Sequence, residues 1–224
     1  MIVAIIPAYN EEKMIGGVVT SLKPLVDKII VIDDGSTDHT KLLAESAGAI
    51  VLRHIINCGY GAALATGTAY AVELQADVIV HFDADGQFVA NEVEKLVAPL
   101  KQGQAEVAFG SRFLGQAVNI SLLRKLILKT AVGFTWAWSG IKLTDVQNGF
   151  RAFTREAARQ INIRQIGKAA TSEIIDEVAR LGLKYTEVPV TVHYTDYSLN
   201  KTKANSIIDV WRIVRDLLVG KIIK

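Results

Sequence analysis

Short apolar runs alternate with helical segments over the first 110 residues, and this alternation constrains the fold more than any other feature of the chain. The runs, mostly Ile, Val and Ala, cover residues 2–6, 28–32, 49–53, 78–82 and 106–110. Unbroken apolar runs are typical of strands buried on both faces. Helical spacing separates them at residues 14–25, 40–47, 62–74 and 92–100. The pattern predicts an α/β fold with a mostly parallel central sheet flanked by helices. We expect Pro7 to end the first strand.

Composition excludes several classes of protein. Of the 224 residues, 50% are hydrophobic and 21% are charged, which indicates a packed core rather than disorder. The net charge of +2 is too small to favour a nucleic-acid partner, and none is expected. Cys58 is the single cysteine, so an internal disulfide is impossible and a reducing compartment is expected. The N-terminus lacks the basic start of a signal peptide, and residues 130–141 predict a buried or interfacial helix rather than a membrane span.

Polar clusters follow three of the predicted strands. They occupy residues 9–11 after the first strand, 33–36 after the second and 83–87 after the fourth. Ligands of parallel sheets bind at the carboxyl ends of the strands, where these clusters are expected to meet. The arrangement therefore predicts a nucleotide or phosphate site at one edge of the sheet.

The third cluster contains two aspartates one residue apart. In an extended chain residues i and i+2 point the same way, so Asp83 and Asp85 place two carboxylates on one side of a strand end. Two like charges at close range repel each other unless a cation lies between them, and Mg²⁺ commonly binds such carboxylates together with substrate phosphates. The alternative interpretation is an acidic turn, since Gly86 follows directly.

Two common phosphate-binding motifs are missing. Gly59 and Gly61 begin like a dinucleotide fingerprint, but Leu64 occupies its third glycine position. The segment also follows the third strand instead of the first, which argues against a nicotinamide enzyme. No P-loop motif is present, so paired carboxylates with a metal are the best available means of neutralising a diphosphate.

Three ordered motifs resemble the signatures of family 2 glycosyltransferases. They are residues 6–12 (IPAYNEE), 31–38 (VIDDGSTD) and 83–87 (DADGQ). Residues 110–113 (GSRF), 145–151 (DVQNGFR) and 185–190 (YTEVPV) resemble the branch that includes dolichyl-phosphate mannose synthases and bacterial polyprenyl-phosphate sugar synthases. The resemblance covers residues 2–201. It implies the type A glycosyltransferase fold with a Rossmann-like nucleotide-binding half, a UDP- or GDP-linked sugar donor and a Mg²⁺ or Mn²⁺ ion.

The resemblance also implies roles for residues of the donor pocket. Pro7, Tyr9 and Glu11 would line the base and ribose pocket. Asp33 or Asp34 would accept a hydrogen bond from the base.

A second group of implied roles concerns the metal and the acceptor. Asp83, Asp85 and Gln87 would gather the metal and the donor diphosphate. Arg112 resembles the arginine that the family uses on an acceptor phosphate, and Arg124 is the next candidate. Arginine suits this role because its planar guanidinium donates two parallel hydrogen bonds.

Two basic amphipathic segments point to a membrane surface. Residues 112–144 contain five Lys or Arg, two Trp and no Asp or Glu, and residues 207–218 carry an apolar stripe among basic residues. Such helices can lie in a membrane interface or pack on their own domain with a solvated basic face. A lipid acceptor predicts an enzyme bound peripherally to the cytoplasmic face of the membrane, or held there by a small membrane-protein partner. We expect one catalytic domain with a nucleotide-sugar half (1–110), an acceptor half (111–201) and a C-terminal amphipathic helix (202–224).

The leading hypothesis is inverting, metal-dependent transfer of a sugar from a nucleoside diphosphate sugar to a polyprenyl (undecaprenyl or dolichyl) phosphate. The first alternative is a transferase that acts on a sugar hydroxyl. That acceptor needs a general base, for which Asp145, Glu173 and Asp176 are the candidates. The second alternative is a nucleotide-sugar-binding protein without turnover.

Overall fold

Strands and helices alternate along most of residues 1–167, 169–195 and 197, the part of the chain that this computed structural model describes. The strands are β1 (Ile2–Ala8), β2 (Lys28–Asp33), β3 (Ile50–Arg53), β4 (Val78–His81), β5 (Val107–Val118), β6 (Arg151–Thr154) and β7 (Tyr185–His193). The helices are α1 (Ile15–Leu22), α2 (Thr40–Ser46), α3 (Tyr60–Glu73), α4 (Val93–Lys101), α5 (Leu122–Ser139), α6 (Arg155–Gln160) and α7 (Ala170–Leu181), with a 3₁₀ turn (Ala90–Glu92) before α4. The predicted C-terminal helix at 202–224 lies outside the described residues.

The strands form a seven-stranded sheet in the order β3-β2-β1-β4-β6-β5-β7. The pairs β1–β2, β2–β3, β1–β4 and β5–β7 are parallel. Strand β6 runs antiparallel between β4 and β5. The predicted α/β class with a mostly parallel sheet is confirmed, and β6 is the exception that the alternation pattern did not reveal.

Both faces of the sheet are buried, as the unbroken apolar runs predict. In β1, Ala4 and Ile6 belong to the apolar cluster shared with α1 and α4. The intervening Val3 and Ile5 belong to a second cluster on the other face, shared with α3, α6 and α7. Successive side chains of a strand point to opposite faces, so a strand buried on both faces carries apolar residues at consecutive positions.

Pro7 does not end β1, and that prediction is wrong. The strand continues to Ala8, and Pro7 remains in register with Ile32 of β2. On the opposite side, the last backbone bond from β1 runs from Phe82 N–H to Ile5 O at 3.0 Å. Pro7 is two residues further along, so its missing N–H faces the side where β4 has already ended. A proline at that position removes no hydrogen bond from the sheet.

Helix α5 carries most of the apolar segment around residues 130–141. Its first turn is capped by Ser121, whose Oγ accepts from Arg124 N–H at 3.3 Å, and it ends at Gly140 with a left-handed φ of 75°. Leucines in its first turns face solvent, and Leu122 is 86% exposed. In the described part of the chain, none of the helices has the length and apolar character needed to cross a bilayer.

Candidate active site

The loops after β1 and β2 lie side by side at the carboxyl edge of the sheet. Asn10 N–H donates to Ser36 Oγ at 3.0 Å, and Glu11 N–H donates to Thr40 Oγ1 at 2.7 Å. These bonds join two of the predicted polar clusters, because both parallel strands end at this edge.

The predicted donor-pocket residues differ in accessibility. Tyr9 is 42% exposed, whereas Pro7 is buried within β1. Glu11 is buried, and its Oε2 accepts from the Tyr197 hydroxyl at 2.8 Å. Of these three predicted donor-pocket side chains, that of Tyr9 is therefore exposed, whereas those of Glu11 and Pro7 are buried.

Asp33 and Asp34 are both buried but have different partners. Asp33 Oδ1 accepts from Ser36 N–H at 3.0 Å, and its Oδ2 lies 3.2 Å from Arg53 Nε. Its side chain has no exposed surface, whereas 4% of the Asp34 side chain is exposed. Asp34 is thus the more accessible of the two carboxylates predicted to meet the base.

Asp34 forms a compact group with His54 and Cys58 in the loop after β3. Its Oδ1 accepts from His54 Nδ1 at 2.7 Å and from Cys58 N–H at 2.8 Å, and its Oδ2 accepts from Gly59 N–H at 2.7 Å. His54 Nε2 lies 3.0 Å from Thr66 Oγ1 in α3. These contacts fix the orientation of the Asp34 carboxylate relative to the sheet.

Asp83 contacts two distant parts of the chain, at Tyr60 and at Gly149. Tyr60, the first residue of α3, donates its hydroxyl to Asp83 Oδ1 at 3.0 Å. On the other side, the backbone of Gly149 is so close that a Cβ there would lie 2.7 Å from Oδ1 and 2.8 Å from Cγ. Burial raises the pKa of Asp83 above its ordinary value of 3.8, although the Tyr60 hydrogen bond and the charges of Arg151 and Arg112 oppose the increase.

The donor set around Asp83 fits a hard divalent cation. Asp83 Oδ2 accepts no hydrogen bond from the described residues, so it remains available to a ligand. Asp85 Oδ1 accepts from Gln87 N–H at 3.1 Å across a turn in which Gly86 has a φ of 71°. Carboxylate oxygens are the ligands that Mg²⁺ and Mn²⁺ prefer.

A second buried carboxylate, Asp145, holds Arg112. Arg112 Nε donates to Asp145 Oδ2 at 2.6 Å, and its terminal nitrogens donate to Gln147 O at 2.8 Å and to the Tyr194 hydroxyl. The half-buried guanidinium of Arg124 lies 4.8 Å from the centroid of the Tyr194 ring. Tyr194 therefore joins the two arginines predicted to meet the acceptor, with Arg124 nearer to solvent.

Two further polar side chains are buried beneath this group. Arg151 is 1% exposed, and neither of its terminal nitrogens has a hydrogen-bond partner among the described residues. Burial lowers its pKa, and the charges of Tyr60, Asp83 and Asp145 oppose the decrease. Burial and the nearby Arg151 lower the pKa of His81 to about 3, so this ring is neutral at physiological pH. Arg151 thus places a buried positive charge behind the carboxylates of the site.

The carboxylates considered as general bases are already engaged. Asp145 is paired with Arg112. Glu173 Oε2 accepts from two backbone N–H groups, of Arg164 and Gln165, at 2.9 and 2.8 Å. Asp176 accepts from Trp138 Nε1 at 3.1 Å. Glu173 and Asp176 do share α7, as their spacing predicts, but both carboxylates bind other parts of the same chain.

Comparison with known proteins identifies the family. The profile described as glycosyl transferase family 2 matches residues 3–161. The chain is a family 2 glycosyltransferase. It is 34% identical to UDP-N-acetylglucosamine–dolichyl-phosphate N-acetylglucosaminyltransferase from Methanococcus voltae, over 89% of this chain and 88% of that protein. It is 31% identical to polyprenol monophosphomannose synthase from Mycolicibacterium smegmatis, over 91% of this chain and 81% of that protein.

Solved structures agree with the glycosyltransferase fold. Glucosyl-3-phosphoglycerate synthase from Mycobacterium tuberculosis, in complex with Mn²⁺, UDP-glucose and phosphoglyceric acid, superposes with a TM-score of 0.71 at 23% identity. The match covers 97% of this chain and 77% of that chain. The central sheet and its flanking helices therefore have the type A glycosyltransferase fold.

The structure of this glycosyltransferase adds residues that sequence reasoning missed. Tyr60, His54, Tyr194 and Tyr197 contact predicted site residues through side chains. Tyr60 was visible only as part of an incomplete glycine fingerprint. A histidine or tyrosine outside a motif has no local signal, because its role depends on which distant carboxylate or arginine it meets.

Proposed function

We propose that this glycosyltransferase moves one sugar from a nucleoside diphosphate sugar to a polyprenyl phosphate with inversion at the anomeric carbon. The observation that carries the proposal is the position of Asp83. Its carboxylate meets Tyr60 from the predicted nucleotide half and Gly149 from the predicted acceptor half. The two similar transferases named above, which act on dolichyl phosphate and form polyprenol monophosphomannose, support the same acceptor class.

The donor would be held at the carboxyl edge of the sheet. Tyr9, Glu11 and Asp34 would contact the nucleoside, and Asp83, Asp85 and Gln87 would hold a Mg²⁺ or Mn²⁺ ion. When bound, such an ion supplies positive charge that stabilises the leaving diphosphate. The structural relative that contains Mn²⁺ and UDP-glucose shares the fold and supports this assignment.

The acceptor would be held by arginines. A phosphate monoester is largely a dianion at neutral pH, because its second pKa is about 6, so it needs positioning more than a general base. Arg124 would contact the phosphate, and the buried Arg112, paired with Asp145, would keep Tyr194 in place under Arg124. A phosphate oxygen then attacks the anomeric carbon from the face opposite the diphosphate, and the bond to the leaving oxygen breaks. No observation favours a sugar hydroxyl as acceptor, since the candidate bases are engaged elsewhere.

Helix α5 would bring the enzyme to the membrane surface. It presents exposed Leu122, Leu123, Leu126 and Trp136 beside Arg124 and other basic residues. Apolar side chains can enter the headgroup region while basic residues meet anionic lipid. This placement supports peripheral association with a membrane, and the face that we propose is the cytoplasmic one.

The test is direct assay with defined substrates. Purified enzyme, a panel of nucleotide sugars and undecaprenyl or dolichyl phosphate in detergent should form a glycosyl phospholipid whose anomeric configuration is opposite to that of the donor. Asp83→Ala and Asp85→Ala should each abolish product formation. Transfer to a sugar hydroxyl but not to lipid phosphate would overturn the proposal.

Membrane association is tested separately with anionic vesicles. Leu122→Glu should reduce co-sedimentation with the vesicles. Leu42→Glu, at an exposed position of α2, should leave co-sedimentation unchanged. Equal sedimentation of both variants would exclude α5 as the membrane-binding surface.

A further inference from the structure

The carboxylate of Asp34 has most of its hydrogen-bonding capacity filled from within the chain. His54 Nδ1 and Cys58 N–H occupy Oδ1, and Gly59 N–H occupies one position on Oδ2. An ionised carboxylate offers about four acceptor positions. Among the described residues no other donor reaches Oδ2, so one position remains for a ligand.

The proton on His54 is assigned by the same contacts. An ionised carboxylate only accepts, so His54 must carry a proton on Nδ1 to bond Asp34 at 2.7 Å. The other ring nitrogen, Nε2, lies 3.0 Å from Thr66 Oγ1, which keeps the ring in this orientation. His54 fills one acceptor position on Asp34 Oδ1. It therefore limits the number of hydrogen bonds that Asp34 can accept from a ligand.

We infer that the donor nucleotide carries an imide base, uracil or thymine, and that His54 is the positioning residue that enforces this choice. The inference rests on the proposed function, in which Asp34 meets the base. An imide presents one ring N–H between two carbonyls, which matches one open acceptor position.

The other bases fit Asp34 less well. Guanine presents a ring N–H and an amino group side by side, and a bidentate contact would need an open position on each carboxylate oxygen. Cytosine and adenine present an unprotonated ring nitrogen at the corresponding place, which a carboxylate repels. A buried donor or acceptor left unpaired is costly, so these mismatches should reduce affinity strongly.

The experiment is calorimetric titration of the full chain with UDP, dTDP, GDP and CDP, all with Mg²⁺ present. We expect UDP or dTDP to bind about tenfold or more tightly than GDP and CDP, because one mismatched buried polar contact reduces affinity by roughly five- to 150-fold. The UDP and dTDP titrations show which imide nucleotide the pocket takes.

Variants of His54 separate positioning from simple structural support. His54→Ala opens a second acceptor position, so it should weaken UDP binding and reduce the preference for UDP over GDP at least threefold. His54→Asn keeps an N–H donor near Oδ1 and should retain the preference. Melting temperatures establish that both variants are folded. Equal weakening of UDP and GDP in His54→Ala would overturn the role of His54.

The outcomes also distinguish this inference from the function beneath it. GDP or CDP binding within tenfold of the better imide nucleotide would overturn the base assignment and leave the transferase proposal intact. Binding of none of the four nucleotides by the wild-type chain would overturn the transferase proposal and this inference together.

Discussion

Gly149→Ala should inactivate the enzyme without unfolding it. Gly149 lies in the segment before β6, and its backbone lies against the Asp83 carboxylate. A Cβ at this position would lie 2.7 Å from Asp83 Oδ1, closer still to Oδ2, whereas ordinary contacts begin at 3.4 Å. Asp83 is a short side chain held from the other side by Tyr60, so it cannot move away freely.

The size of the effect follows from this overlap. The carboxylate must move by about 0.7 Å or more to reach an ordinary contact distance. Misplacement of catalytic geometry by about 1 Å can cost on the order of a hundredfold in rate. We therefore expect kcat to fall about a hundredfold, while the melting temperature changes by only a few degrees because the added methyl group perturbs one side chain.

The assay is glycosyl transfer at saturating donor and acceptor, with thermal unfolding of the same samples. Gly17→Ala is the matched control, because a Cβ at Gly17 in α1 meets nothing within 4 Å. That variant should retain wild-type kcat and gain up to about 1 kcal/mol in stability from helix propensity. A Gly149→Ala enzyme that retains a third or more of wild-type kcat would refute the assigned role of Asp83.

Three further predictions concern buried charge. Asp145→Ala should lower the free energy of unfolding in urea by about 3–5 kcal/mol, because it leaves Arg112 buried without its carboxylate. Glu45→Ala removes an exposed helical ion pair with Lys41 and should lower the free energy of unfolding by at most about 0.5 kcal/mol. Similar losses of stability in the two variants would contradict this account. Burial raises the pKa of Asp83 in the folded state above 3.8, its value in the unfolded chain. Above pH 3.8 the unfolded chain therefore ionises this carboxyl more readily than the folded chain, which lowers the free energy of unfolding. In EDTA at neutral pH, Asp83→Asn should therefore be at least as stable as wild type although inactive, and a clear loss of stability would show that the ionised carboxylate is favoured in the fold. The pKa of His81 is lowered to about 3 from 6.5, so the unfolded chain binds a proton between these values that the folded chain does not. Stability should fall as the pH drops below 6.5, by at most about 1.4 kcal/mol per unit, and an equally steep fall in His81→Gln would assign this loss to other groups.

Sequence patterns predicted the parts of the fold that depend on neighbouring residues. Burial of both strand faces was readable from residues 2–6, because side-chain direction alternates along any strand. The edge that carries the site was readable from the polar residues after three strands, since parallel strands end together. Pro7 was misjudged because its effect depends on where β4 ends, and β4 is more than 70 residues away in the chain.

Tertiary structure decided which distant residues contact Asp83. Antiparallel β6 inserts between β4 and β5, which brings Gly149 and Arg151 to Asp83. No residue near Asp83 in the sequence indicates this contact, because strand order is set by packing over the whole sheet.

The sequence by itself determined that this chain forms an α/β glycosyltransferase with an aspartate pair at a strand end. Ordered motifs and local periodicity sufficed for this, since both depend on residues close together in the chain. Only the tertiary structure decided that Asp83 lies between Tyr60 and Gly149, that Asp145 holds Arg112, and that His54 bonds to Asp34. These contacts join residues 20 to 66 positions apart in the chain, and folding of the complete sheet is what brings them together.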